Sequence, residues 1–228
     1  IGLADSGEGG IPSFQVTNST QSTISATITV TPSYENNGII CDGNAETFTI
    51  TVNPSPEMDN VEDVVLCNNE ISSIIEFTTP NTDGNTTYTW TNDNTSIGLS
   101  STGNGDIPSF TALNLSPITE VATITVTPTY ENNGVVCIGD PQTFSISVLS
   151  EIEITGTTVD ALDCNDPNSG NINITVTGGS GVYDFLWSNG AITEDLNNIG
   201  PGDYSVTVTD NEGCTAISQT FNIFRQDD

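Results

Sequence analysis

Most of the chain follows the alternation of apolar and polar positions that is typical of β-strands. Val, Ile, Thr and aromatic residues dominate these segments. Examples are ATITVTP from Ala26, TTYTWTN from Thr86, EVATITVTPTY from Glu120 and QTFSISV from Gln142. Gly, Pro and Asn separate the segments at short intervals, and no stretch has a convincing helical period. The pattern predicts an all-β protein built from immunoglobulin-like β-sandwich domains.

An internal repeat organises the first two thirds of the sequence. Residues 1–52 align with residues 97–148 without a gap, at a constant offset of 96. The motif GxGxIPSF recurs at Gly7 and Gly103, and YENNG recurs at Tyr34 and Tyr130. A period of this length is the size of one sandwich domain, so each complete repeat is able to bury a core of its own.

This register predicts three units arranged like beads on a string. The first unit, residues 1–52, is the C-terminal half of a repeat whose first strands are absent. The second unit, residues 53–148, is a complete repeat. The third unit, residues 149–228, leaves the register and carries its own strand signals, such as GNINITVTGG from Gly170 and VYDFLWSNG from Val182. We expect short linkers between units, at residues 53–56 and 149–151, to limit hinge motion.

Charge excludes one class of partner. The 228 residues include 30 Asp or Glu, one Lys or Arg and no His, for a formal net charge of −29. Nucleic acids and anionic lipids require phosphate-neutralising cations, and Arg225 is the single one here. We therefore expect no nucleic-acid binding, and a polar acidic surface suited to an extracellular setting, where salt screens self-repulsion.

The sequence contains no apolar run long enough to span a bilayer, and its first residues lack the features of a signal peptide. We expect a mature form or a fragment of a longer product.

Five cysteines fit the repeat if disulfides close within units. We predict Cys67–Cys137 in the second unit and Cys164–Cys214 in the third, with the partner of Cys41 lying before Ile1. Such bonds imply an oxidising compartment. A zinc site is the alternative, but the chain has no CxxC pair and no His.

The last third of the chain resembles a known family. The segment from Gly178 to Cys214, GGSGVYDFLWSNG followed by GDYSVTVTDNEGC, is similar to the SprB repeat in the order and spacing of its motifs. The 96-residue repeat resembles the PKD-like domain through Tyr88-x-Trp90, GxGxIPSF, Asn114, TITVTP and the Cys-x-Gly before the last strand. Together these resemblances imply a large cell-surface adhesin of Bacteroidota, exported by type IX secretion and of the kind used in gliding.

Two groups of Asx residues are candidate calcium ligands, because calcium binds six to eight oxygen atoms. One group is Asn81, Asp83 and Asn85, and the other is Asp160, Asp163 and Asp166, near which we expect Asp210 to return. Asn, Asp and Gly also form turns without any metal, and we favour that interpretation. Ca²⁺ is the one candidate cofactor that the sequence suggests.

Trp90, Trp187 and Tyr204 are predicted core residues, with the two tryptophans packed against disulfides and Tyr204 placed like a corner tyrosine. Sugar stacking by Trp90 and Trp187 is the alternative. Catalysis has neither His nor Lys to use, so we expect no enzyme and no catalytic residue.

Three functions stay open. The preferred one is a structural or adhesive repeat segment at the cell surface, contacting neighbouring repeats and an extracellular surface or polysaccharide. The alternatives are a carbohydrate-binding appendage of a secreted enzyme, and a subunit of a homo-oligomeric filament completed by strand exchange.

Overall fold

The structure is a computed structural model that describes residues 1–161 and 168–225. Within these ranges the chain forms β-strands and one short 3₁₀ helix, which confirms the predicted all-β sandwich class. No helix of the described part is long and apolar enough to cross a membrane.

The first unit forms two separate pairs of antiparallel strands. One pair joins β1 (Ile24–Val30) to β4 (Glu46–Val52), and the other joins β2 (Ser33–Asn36) to β3 (Ile39–Asp42). Asn37 and Gly38 connect β2 to β3 with φ values of 51° and 77°, as the Asn-Gly turn of a tight hairpin requires.

The second unit is built on one six-stranded sheet with the order β5-β10-β8-β6-β7, to which β9 adds beside β8. Its strands are β5 (Val64–Leu66), β6 (Asn85–Asn92), β7 (Thr102–Asn104), β8 (Glu120–Asn132), β9 (Val135–Ile138) and β10 (Gln142–Val148). The pair β5–β10 is parallel and the others are antiparallel. The 3₁₀ helix, Thr95–Ile97, follows β6 and is capped by the Asn94 side chain.

Two irregular segments of the second unit pair with each other outside that sheet. Isolated bridges join Ile71 to Thr111 and Ile75 to Ile107. Ile107 is fully buried and belongs to the same apolar cluster as Ile124 and Ile146, which lie on β8 and β10. These segments therefore cover the second unit's core as the other layer of a sandwich.

The third unit contains two three-stranded sheets and a strand pair. The sheets have the orders β11-β12-β14 and β13-β16-β17, and β15 pairs with β18. The strands are β11 (Glu153–Val159), β12 (Gly170–Thr177), β13 (Tyr183–Trp187), β14 (Leu196–Ile199), β15 (Gly202–Tyr204), β16 (Val206–Asp210), β17 (Thr215–Ile217) and β18 (Phe221–Ile223).

Buried residues form two clusters. One draws on residues from Met58 to Val148, and the other on residues from Leu149 to Ile223. Cys67 packs against the second of these clusters although it precedes most of the first in the chain. The predicted linker residues Pro54, Pro56, Leu149 and Ser150 are buried, so the connections between units are packed rather than loose.

Candidate functional site

A disulfide links the second unit to the third and corrects both predicted cysteine pairs. Cys67 is bonded to Cys214, with Cα atoms 5.5 Å apart and a sequence separation of 147 residues. Cys137 is a free thiol, as is Cys41. Cys164 lies outside the described residues. Because Cys41 was assigned a partner by analogy with Cys137, that assignment loses its support.

The geometry of the second unit explains why Cys67 does not reach Cys137. Leu66 and Glu120 both pair with Val148, so Cys67 lies at the Glu120 end of β8. Cys137 pairs with Tyr130, ten residues further along β8. At about 3.3 Å per residue the two cysteines are roughly 30 Å apart, whereas a disulfide needs Cα atoms within about 7 Å.

Hydrogen bonds surround the disulfide at the junction between the second and third units. The Leu149 amide donates to the Leu66 carbonyl, and the Gly179 amide donates to the Ser150 carbonyl. Two clefts flank the bond, one lined by residues that include Asn114 and Glu151 and the other by residues that include Ser150 and Ile217. The junction is thus covalent, apolar at its centre and polar at its edges.

Asn114 ties the loop after the 3₁₀ helix to the end of β10. Its side-chain amide donates to the carbonyls of Ile118 and Val148, at 2.8 Å each, and it is 3% exposed. Asn18, at the equivalent repeat position, donates to Ser22 and Val52 in the same manner. The asparagine that recurs in the repeat is therefore a structural brace in both units.

A polar contact connects the first unit to the second. The side-chain amide of Asn132 donates to the Thr23 hydroxyl at 2.9 Å, and the backbone amide of Thr82 donates to the Gln21 carbonyl at 2.8 Å. The Tyr130 hydroxyl donates to the Thr82 carbonyl at 2.8 Å, and Tyr130 is fully buried. No disulfide crosses this junction among its described residues.

The three predicted core aromatics lie in or beside the apolar clusters. Trp90 is 4% exposed and Trp187 is 2% exposed, whereas Tyr204 is half-buried against the third unit's cluster. Trp187 shares its cluster with Cys214, but the cluster around Trp90 holds no cysteine. The Tyr204 hydroxyl donates to the Gly200 carbonyl at 3.0 Å, which is the bond of a tyrosine corner.

The first group of calcium candidates is engaged in local structure. The side-chain oxygen of Asn81 accepts a hydrogen bond from the Glu57 backbone amide at 2.7 Å, and the side-chain NH₂ group of Asn81 donates to the Ser55 carbonyl. Asp83 has a φ of 66° and is exposed in the turn that leads into β6, where Asn85 is the first residue. Asn81 therefore closes the linker onto the second unit, and the loop has the features of an Asx turn.

The second group of calcium candidates is divided between two ends of the third unit. The Asp160 carboxylate accepts the Phe224 amide, just beyond the end of β11 where Val159 pairs with Asn171. Asp210 accepts the Ser180 amide beyond the opposite end of that sheet. The length of β11 separates Asp210 from Asp160 by roughly 20 Å, so Asp210 does not return beside Asp160 as expected.

The remaining members of that group, Asp163 and Asp166, lie outside the described residues. Among residues 1–161 and 168–225, no three His, Cys, Asp or Glu side chains cluster as metal ligands. The turn interpretation stays the favoured prediction, and calcium binding stays its alternative.

Asp210 is a buried carboxylate, 5% exposed, that organises the turn after β16. It accepts hydrogen bonds from the amides of Ser180, Glu212 and Cys214 at 2.8 to 3.0 Å. Burial, with a smaller contribution from the Asp210 charge, raises the pKa of the Tyr183 phenol. Asp210 accepts a hydrogen bond from the backbone amide of Cys214 and so positions the disulfide. The sequence before the Gly213-Cys214 turn did not indicate this role.

One exposed carboxylate, Asp63, braces the strand beside it. Its side chain accepts the Ser145 amide at 2.7 Å, and this hydrogen bond lowers the pKa of Asp63.

Comparison with known proteins identifies part of the third unit. Residues 155–192 match the family model of the SprB repeat, and this range includes Trp187 and most of the strands β11 to β13. No curated protein matches the chain.

Three solved structures are similar at low identity. A C-terminal 282-residue fragment of intimin, in complex with the intimin-binding domain of the translocated intimin receptor, is 15% identical over 73% of this chain and 62% of that chain, with a TM-score of 0.40. Extracellular domains 3–5 of Drosophila OTK are 13% identical over 75% of this chain and 63% of that chain, with a TM-score of 0.26. The human Desmocollin-1 ectodomain is 13% identical over 80% of this chain and 40% of that chain, with a TM-score of 0.29.

The chain spans less than two thirds of the length of each of these structures. The assignment to the sandwich class rests on the strands and apolar clusters of the chain itself. What the sequence comparison establishes is that the third unit contains a match to the SprB repeat.

Proposed function

We propose that this chain is a non-enzymatic structural segment of a large adhesin-like protein at the cell surface. The SprB-repeat match over residues 155–192 is the observation that carries the proposal. The strong acidity and the disulfide are in keeping with an extracellular location. The PKD-like resemblance of the repeat, export by type IX secretion, and attachment to or gliding over a surface or polysaccharide are finer parts of the same proposal.

The junctions support a mechanical role for the segment. A pull on the two ends of the chain passes from Cys67 directly to Cys214, because the covalent bond bridges the residues between them. The strands of the second unit after Cys67, and most of those of the third, lie inside that closed loop. Force therefore bypasses the parts of both apolar cores that lie inside the loop while the disulfide is intact, whereas Met58, Leu66, Phe221 and Ile223 lie outside it.

The two alternative functions have less support. A carbohydrate-binding appendage needs exposed aromatic platforms, but Trp90 and Trp187 are buried in apolar clusters. A filament completed by strand exchange needs a donor segment that is free to leave its own unit. Residues 53–96 instead cover residues 97–148 of the same chain, with Trp90 4% exposed, so this segment is already engaged within its own unit.

Single-molecule force spectroscopy on the chain held at its two ends tests the mechanical role. Subtracting the separation of 147 residues from 228 leaves about 81 extensible residues, or about 280 Å at roughly 3.5 Å per residue. With reductant, or in the Cys67→Ser/Cys214→Ser variant, we expect full extension to about 800 Å. The Cys41→Ser/Cys137→Ser variant is the matched control and keeps the short extension. Full extension of the oxidised chain would contradict the proposed path of force.

A further inference from the structure

The first unit exposes the side chains that form a core in the second unit. Three pairs of equivalent residues show the contrast, with the exposed fraction of the first-unit residue followed by that of its second-unit counterpart: Ile11 45% and Ile107 0%, Val30 46% and Val126 0%, Phe48 45% and Phe144 6%. The two halves share most of their sequence, so the difference lies in what covers them.

In the second unit the cover consists of residues 53–96. Its buried apolar side chains, Met58, Leu66, Phe77, Tyr88 and Trp90, lie in one cluster with Val126 and Phe144. Phe77 contacts Phe144 with ring centroids 6.4 Å apart. Nothing among the described residues occupies the corresponding place on the first unit, as the exposure of Phe48 shows.

We infer that the exposed face of residues 1–52 is the acceptor half of a β-sandwich. Its occupant is a polypeptide segment with the sequence pattern of residues 53–96, which we name the donor segment. The internal repeat identifies this occupant, because the same acceptor sequence binds that segment in the second unit.

The register of binding follows from the second unit. There β6 pairs with β8, joining Asn85 to Glu131 and Asn92 to Ile124. Subtraction of the repeat offset places the same donor strand along residues 28–35 of the first unit. This edge of β1 has no strand partner in the described part of the chain, where β1 pairs with β4 alone.

One glycine marks the place of the donor tryptophan. A Cβ atom on Gly103 would come within 2.1 Å of Cζ2 of Trp90, so the indole ring lies against this glycine. Gly7 is its equivalent, and a Cβ atom there would meet nothing within 4 Å. The repeat retains glycine at a position where only a bound donor segment would need it.

A second copy of the chain is a poor source of the donor segment. Its residues 53–96 already cover its own residues 97–148, with Trp90 4% exposed, and their release would expose a new acceptor face. Self-association is instead an outcome that would overturn the proposal.

The experiment supplies the donor segment to the full chain. Residues 53–96 carrying Cys67→Ser are added as a free polypeptide, and amide hydrogen exchange of residues 24–36 is followed by mass spectrometry. In a second arm the same segment is fused directly before Ile1, since Ser96 precedes Ile97 directly in the second unit and no linker is needed. We expect amide exchange to slow at least tenfold in the fused chain, and with the free segment at saturating concentration.

Two matched variants make the test specific. Gly7→Ala leaves the exchange of the uncomplemented chain unchanged, because its methyl group enters open space, but it removes most of the slowing by the donor. A donor segment carrying Trp90→Asp gives no slowing. The proposal is overturned if the fused chain exchanges as fast as the original, if Gly7→Ala complements equally well, or if sedimentation shows a dimer held by the first unit that the donor does not dissociate.

Discussion

At the scale of single residues, the repeat provides paired positions that differ only in their surroundings. The methyl group of Gly103→Ala would overlap sterically with the indole ring of Trp90, whereas that of Gly7→Ala would lie in open space. We expect Gly103→Ala to lower the free energy of unfolding by about 1–3 kcal/mol, the usual cost of overpacking a core. Gly7→Ala is expected to have little effect. Urea denaturation measures both, and equal losses would show that backbone freedom rather than packing governs these glycines.

A second residue-scale prediction concerns two buried tyrosines of the second unit. The Tyr88 hydroxyl is buried and has no hydrogen-bond partner among the described residues, whereas the Tyr130 hydroxyl donates to Thr82. We expect Tyr88→Phe to change the unfolding free energy at neutral pH by less than about 0.5 kcal/mol, and Tyr130→Phe to lower it by about 1 kcal/mol. The reverse order in urea denaturation would contradict this account.

Alkaline pH extends the same comparison. Burial raises the pKa of the Tyr88 phenol, so the folded state retains a proton that the unfolded state releases above its ordinary pKa of about 10. The free energy of unfolding therefore falls as the pH rises above about 10, and is unaffected by this group at lower pH. In Tyr88→Phe this fall is expected to be smaller, and a pH series of urea denaturation curves measures the difference.

At the scale of elements, one sequence forms two different structures. Residues 26–32 and 122–128 both read ATITVTP. The second copy lies within the continuous strand β8, whereas the first leaves the strand at its last two residues, 31–32, between β1 and β2. Pairing with β6 extends across Pro128 and accounts for the continuity of β8, because β6 occupies the edge that the first unit leaves open.

Hydrogen exchange of the unmodified chain checks this account. The shared sequence gives the two segments nearly equal intrinsic exchange rates, so the comparison needs no external reference. Amides of residues 124–127 are expected to exchange at least about tenfold more slowly than those of residues 28–31, because a central strand opens only with the unit around it. Equal rates would mean that β6 does not stabilise β8.

At the scale of the whole molecule, the remaining question is whether metal adds to the disulfide. Asn81 uses its side chain to close a linker, and Asp160 and Asp210 lie at opposite ends of the third unit. We therefore expect the melting temperature of the oxidised chain to agree within about 2 °C in calcium and in chelator. A ligand that binds only the folded state would raise it by mass action, so a clear loss with chelator would restore a calcium site. Repeating the measurement with Asp160→Ala would test whether the loop after β11 provides it.

Several of these features were open to prediction from the sequence and others were not. Period-two alternation and Asn-Gly turns indicated strands and hairpins correctly, because these signals act between near neighbours. The burial of Trp90 and Trp187 followed from similarly local patterns. The site at the junction did not, since a single sequence with five cysteines leaves their pairing open.

The sequence by itself determined the all-β class, the acidic composition and the internal repeat with its offset of 96 residues. Tertiary structure decided that Cys67 meets Cys214, because the end of β5 packs beside Leu149 at the junction, whereas Cys137 lies on β9, which pairs with the opposite end of β8. It also decided that Asp160 and Asp210 stay apart, since the length of β11 separates them. Alternation and turns depend on residues adjacent in the chain, whereas both of these outcomes depend on which ends of distant strands come together.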